Sequence, residues 1–135
     1  MTLEQILEDF EALEPGEERY RYLIDLGRDL PGLPDELKVE ENRILGCLSR
    51  VWLVADPVDD GVRRFHLRAD SDAFIVRGLI AIVLAMYQGR TSTEILAVDP
   101  NAIFASIGLD QHLSMGRRNG LHSMVQRVRA LAAAG

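Results

Sequence analysis

The sequence runs to 135 residues and 15.1 kDa, a length for one domain, and its 47% apolar content fills a single core without metal or disulfide staples. Charged residues at 27% and a mean hydropathy of +0.01 exclude disordered and fibrous classes. A net charge of −6, a pI near 5.0 and one lysine, Lys38, exclude a nucleic-acid binder, which would gather basic side chains on one face.

The first helix is predicted from Thr2, with Gln5 completing a capping box and Leu3, Ile6, Leu7, Phe10 and Leu13 at helical spacing. Glu14-Pro15-Gly16 ends it. A second helix from near Pro15 buries Tyr20, Leu23 and Ile24 and stops at Gly27, read as a left-handed C-terminal residue. Pro31, Gly32 and Pro34 make residues 28–38 a loop. Residues 49–55 read as a strand, 56–61 as a turn, and Phe65, Leu67 and Ala69 alternate with Arg64, His66 and Arg68 in a second strand. Asp70-Ser71-Asp72 then supplies N-cap chemistry for a helix over 73–88 that is apolar on nearly every face and is therefore central. Thr91 to Glu94 forms another capping box, Pro100 opens a further helix to Gly108, and a last helix spans 115–133 with Leu121, Met124, Val125, Val128 and Leu131 on one face. The expected fold class is α+β, a small antiparallel sheet packed against several helices.

Charge is unevenly shared. Residues 1–41 hold 13 acidic and 4 basic side chains (−9), and residues 42–135 hold 8 and 11 (+3), so the first helices read as an acidic, solvated face. The longest apolar run, 78–87, falls short of the roughly 20 residues of a membrane span. Glu4, Glu8 and Asp9 stand where an export signal carries basic residues, so a cytoplasmic home without membrane contact is expected.

Chemistry centres on Cys47, the chain's one cysteine, which excludes an intramolecular disulfide. Gly46 before it permits a sharp turn. A lone cysteine is often a small core hydrophobe; nucleophilic chemistry instead needs the thiolate, which Arg43 or Arg50 could favour. Three isolated histidines and one cysteine cannot build a metal or cluster scaffold, and no phosphate-cradling glycine loop occurs. A Cys-His hydrolase with His112 as base remains open, beside a surface reading of that histidine. For Asp70 and Asp72 a docking role can coexist with capping. Arg117 and Arg118 begin the last helix, where positive charge opposes the helix dipole, so they answer to something other than helix stability.

Three blocks in order, Gly46-Cys47-x-Ser49-x-Val51-Trp52-Leu53, then Asp70-Ser71-Asp72-Ala73-x-Ile75-Val76-x-Gly78-Leu79-Ile80-Ala81, then Gln111-His112-Leu113-Ser114-x-x-Arg117-x-x-Gly120-Leu121, resemble the SufE family. The resemblance covers most of the chain, departing at Leu48, Arg50 and Met115-Gly116. It implies a SufE/IscU-like fold, with Cys47 as acceptor of persulfide sulfur from a SufS-type or related cysteine desulfurase. It further implies that the carrier stimulates that desulfurase and hands sulfur to a Suf-type iron-sulfur scaffold. Arg117 falls on the family's late arginine, expected to contact the acceptor region or the partner, with His112, Asp70, Asp72, Arg43 and Arg50 as supporting or docking residues. No cofactor is expected on this chain; pyridoxal phosphate belongs to the partner desulfurase. A single thiol suits such a carrier, because a second cysteine could collapse the persulfide to a disulfide and release sulfide. Leu45, Leu48 and Trp52 are expected to wall an apolar shelter around the thiol. The alternative is a binding module that activates a desulfurase by docking, with Cys47 structural.

Overall fold

The computed structural model describes residues 2–47, 49–59, 61–109 and 113–134. In chain order these form α1 (Leu3–Ala12), α2 (Glu17–Arg28), short 3-10 turns at Asp35–Leu37 and Glu40–Asn42, and the hairpin β1 (Val51–Asp59) and β2 (Arg63–Ser71). There follow α3 (Phe74–Tyr87), α4 (Ser92–Ala97), α5 (Pro100–Ser106) and α6 (Met115–Ala134). The fold is α+β, helices around one antiparallel hairpin. Local chemistry sets the starts: Thr2 with Gln5 and Thr91 with Glu94 form complete capping boxes, and the Asp99 carboxylate accepts from Ala102 N–H ahead of Pro100.

α3 is the hub. Ile75, Val76, Leu79, Ile80, Ile82, Val83, Met86 and Tyr87 are buried on several of its faces, against α2, β2, α1 and α6. Its tightest neighbour is α2. A Cβ on Gly78 would stand 2.0 Å from Leu23 O, and one on Gly27 would stand 2.4 Å from Phe74 O, so glycine at both positions lets two backbones touch. This corrects the reading of Gly27 as a helix stop: it is buried inside α2, which runs on to Arg28, and its φ is not positive. Tyr20, expected in the core, is 49% exposed, and Leu26 takes its place inside. Gly16, with φ of 108°, is the residue that turns the chain into α2.

The hairpin is longer than its residue pattern implied. β1 passes through Asp56 and Pro57 to Asp59, in register Trp52 with Asp70, Val54 with Arg68 and Pro57 with Phe65. Phe65 N–H donates away from β1, to Arg90 O, so Pro57 sits opposite a residue that makes no ladder bond with it and its missing donor costs nothing. The outer edge of β2 is occupied as well: Gly89 N–H donates to Phe65 O, and the Gln88 side chain accepts from Leu67 N–H at 2.6 Å and donates to Leu67 O at 2.7 Å.

The carboxylates of Asp70 and Asp72 do not cap α3. Asp70 and Ser71 end β2, and Ala73 is the cap residue, with its N–H bonded to Ser71 Oγ. Asp70 is buried and accepts from Leu33 N–H at 3.0 Å and Ser71 N–H at 2.8 Å. Arg77 and Lys38 also face it, and Arg77 donates onward to Gly27 O and Leu30 O. The cluster ties the 27–33 segment to the hairpin and α3. Among the described residues no helix is long and apolar enough to cross a membrane.

Candidate functional site: a half-buried thiol under a closed loop

The segment carrying Cys47 is pinned at both ends. Ile44 N–H donates to Val51 O at 2.9 Å beside an Arg43–Trp52 bridge, which closes the base. On the descending side Arg50 N–H donates to the Asp72 carboxylate at 3.1 Å, and Ser71 Oγ donates to Arg50 O at 2.6 Å. Gly46 turns the chain with φ of 87°, and a Cβ there would stand 3.0 Å from Ser123 Oγ on α6, so conformation and space both call for glycine. Cys47 is left half-buried, its thiol donating to Gly120 O at 3.7 Å.

The thiol borders a cavity of ≈ 10 Å³ lined by Ser49, Val76, Leu79, Arg117, Gly120 and Met124 among others. That is room for about one water-sized atom. Larger clefts, of ≈ 430 Å³ between α1 and α3 and ≈ 710 Å³ between the 3-10 turn and α6, do not include Cys47. Burial pushes the Cys47 thiol pKa above its ordinary 9.0, and the nearby charge of Arg43 offsets only part of this. At rest the sulfur is a neutral thiol.

The expected arginines therefore divide. Arg43, itself paired with Glu40 at 3.4 Å, is the one whose charge reaches the sulfur. Arg50 contributes its backbone, and its side chain is exposed. Arg117 lines the cavity, its N–H bonded to Ser114 Oγ, and its Nη1 is buried with no hydrogen-bond partner among the described residues. Asp72 is brought to the site, whereas Asp70 lies in the cluster around Arg77. His112 and Gln111 lie outside the described residues, as does Leu48.

The shelter is not built as expected. Leu45 is 75% exposed, and Trp52 lies under Lys38 Nζ, 5.7 Å from the ring centroid; neither lines the cavity. The apolar wall comes from α3 through Val76 and Leu79 and from α6 through Met124, elements remote in sequence from the cysteine. Gly120 is the one member with a local signal: a glycine inside a 20-residue helix costs stability unless another chain approaches closely, and here that chain is Cys47, whose Sγ would be 3.4 Å from an added Cβ. Among the described residues no group of three or more His, Cys, Asp or Glu side chains is placed to hold a metal ion.

A helix-flanked hairpin presenting one half-buried thiol at a pinned turn defines a class of small α+β proteins with a sequestered cysteine. The chain belongs to the SufE family, the Fe-S metabolism associated domain, which matches residues 4–132. It is 50% identical over 129 residues to a SufE-like protein of Rhizobium etli, covering 95% of this chain and 87% of that one, and 46% identical over 132 residues to a SufE-like protein of Rhizobium meliloti, covering 97% and 94%. It is also 40% identical over 128 residues to the sulfur acceptor protein CsdE of Escherichia coli, covering 95% and 86%. The solution structure of a hypothetical protein from Thermus thermophilus shares the fold at a TM-score of 0.75 and 24% identity, covering 99% of this chain and 97% of that one.

Proposed function

We propose that this protein takes sulfane sulfur from a cysteine desulfurase onto Cys47, stimulates that enzyme, and passes the sulfur to a Suf-type scaffold for iron-sulfur assembly. The observation that carries the reading is the placement of the chain's one thiol against an apolar cavity of one-atom size that Arg117 also lines. In the transfer, the Cys47 thiolate attacks the outer sulfur of the donor's persulfide. The donor's sulfur–sulfur bond breaks, its cysteine leaves as thiolate with the electron pair, and a new sulfur–sulfur bond forms on Cys47. The Cys47 proton passes to the departing thiolate or to solvent, and nothing is oxidised or reduced overall. Pyridoxal phosphate acts in the donor and takes no part on this chain.

Geometry divides the labour. The resting thiol is neutral and covered, so Cys47 reacts after the partner draws it out of the cavity, where it regains ordinary acidity. After return, the outer sulfur occupies the one-atom space, between the apolar wall and Arg117, away from reductants.

A second reading, activation by docking with Cys47 structural, draws on the same raised thiol pKa and on the bond from Sγ to Gly120 O. One experiment separates the two. Incubation with a cysteine desulfurase and cysteine, followed by intact mass without reductant, is expected to add one sulfur atom to the parent protein and none to Cys47→Ser. Stimulation of the desulfurase that survives in Cys47→Ser, with no mass gain in the parent, establishes the docking reading instead.

A further inference from the structure

Two residues, Leu45 and Gly46, separate Cys47 from Ile44, the last residue of the pinned stem. On its outer side the stem is held by a side chain of α6: Arg127 Nη2 donates to Glu41 O at 3.0 Å and to Arg43 O at 3.3 Å. These carbonyls emerge at the C-terminal end of the 3-10 turn Glu40–Asn42, where backbone acceptors lack partners within the turn and its partial negative charge collects. A guanidinium is permanently charged, and one of its nitrogens bridges both acceptors. The sulfur chemistry itself makes no use of Arg127. It lies two turns beyond Gly120 and faces the open groove with Glu40, Arg43 and Leu45, not the cavity of the thiol.

We infer that Arg127 is a positioning residue for Cys47, a clamp from α6 that fixes the stem at 41–44 so that the thiol swings on a short tip anchored at Ile44. Its purpose, though not its existence, rests on the sulfur-acceptor reading. The anchor sets the reach: the three steps along the chain from Ile44 to Cys47 extend at most about 10 Å, at roughly 3.3–3.6 Å each, so the thiol travels into a partner's pocket and returns to the same place. With the clamp gone, the stem at 41–44 is held on its inner side alone, by the bond from Ile44 N–H to Val51 O, while Arg50 still tethers the descending side, so the base of the tip loosens. Opening becomes easier and aim becomes poorer. The same side chain restrains access to the thiol and sharpens delivery, so its loss moves two measurements in opposite directions.

The test uses the whole chain as Arg127→Ala and Arg127→Lys. With no desulfurase present, iodoacetamide labelling of Cys47 is followed by intact mass, and amide hydrogen exchange is read over 41–46 and over β2. Arg127→Ala is expected to label roughly five- to tenfold faster, the worth of two hydrogen bonds from a charged donor near the surface. Its exchange rises over 41–46 and stays unchanged over Arg63–Ser71. Arg127→Lys restores most of the parent rate, because the ammonium keeps the charge and the donors. With a cysteine desulfurase and cysteine, the maximal rate of sulfur loading of Arg127→Ala falls while its half-saturating concentration holds. An unchanged labelling rate, a lysine variant as fast as the alanine one, or equal loosening over β2 overturns the clamp; a loading rate that rises with labelling overturns the aiming role. Failure of the parent protein to load sulfur overturns the acceptor reading alone, and the labelling arm still decides the clamp.

Discussion

Gly120→Ala separates the resting thiol from the loaded one. The added Cβ would stand 3.4 Å from Cys47 Sγ and 3.6 Å from its Cα and Cβ, which is ordinary contact, so the unloaded protein accepts the methyl group. Removing a glycine from the interior of α6 stabilises the fold by up to about 1 kcal/mol, a rise in Tm of roughly 4 °C for a chain of this length. The methyl group takes its room from a cavity of only ≈ 10 Å³ beside the sulfur. An outer sulfur then loses its cover, and a group the size of one methylene is worth about 0.8 kcal/mol on burial, or about fourfold in the ratio of sheltered to exposed persulfide. The assay loads parent and variant with a desulfurase and cysteine, removes the enzyme, adds dithiothreitol, and follows loss of the extra sulfur by intact mass. The variant is expected to lose it about four times faster while melting no lower. A variant that melts higher and keeps its sulfur as long as the parent refutes the cavity as the resting place of the second sulfur.

Gly78→Ala sets a Cβ 2.0 Å from a backbone oxygen that cannot step aside, so it should cost more than about 3 kcal/mol in urea unfolding; a loss under about 1 kcal/mol contradicts the α2–α3 contact. Asp70→Asn breaks a buried ion pair and should cost about 3 kcal/mol. Burial alone would raise the Asp70 pKa, but the amides of Leu33 and Ser71 with Arg77 and Lys38 hold it below its ordinary 3.8. Its contribution is therefore present above that value and lost as pH falls through the lowered one, and urea midpoints down to pH 3 should fall less steeply in Asp70→Asn. The Cys47 pKa is raised above its ordinary 9.0, so its contribution is full below that value and lost as pH climbs through the folded one; Cys47→Ser should lack this alkaline decline, and iodoacetamide labelling of the free parent should reach half-maximum above pH 9. Asp72→Ala removes an exposed acceptor from Arg50 N–H and should speed labelling of Cys47 by a few fold with little change in Tm.

What was legible in the amino acids was whatever is decided within a few residues. Thr2 with Gln5 and Thr91 with Glu94 cap helices by contacts three positions apart, and the turn at Gly46 is a property of one residue. Asp70 and Asp72 were misread for a physical reason: a carboxylate that caps a helix and one that accepts from a distant amide look alike in sequence, and the amides of Leu33 and Arg50 lie 37 and 22 residues away. Gly27 fails in the same way, since a helix stop and a helix crossing both call for the missing Cβ. The position of the thiol was readable because there is only one; its walls, Val76, Leu79 and Met124, were not, because long-range packing chose them over the neighbouring Leu45 and Trp52.

A two-stranded ribbon is adhesive by nature, since each border offers amides to any extended chain that drifts past. Here one border carries Pro57, which has no hydrogen to lend, and at the other the Gln88 side chain impersonates a peptide unit at Leu67. An extended chain that pairs with this border of the ribbon must first evict that impostor.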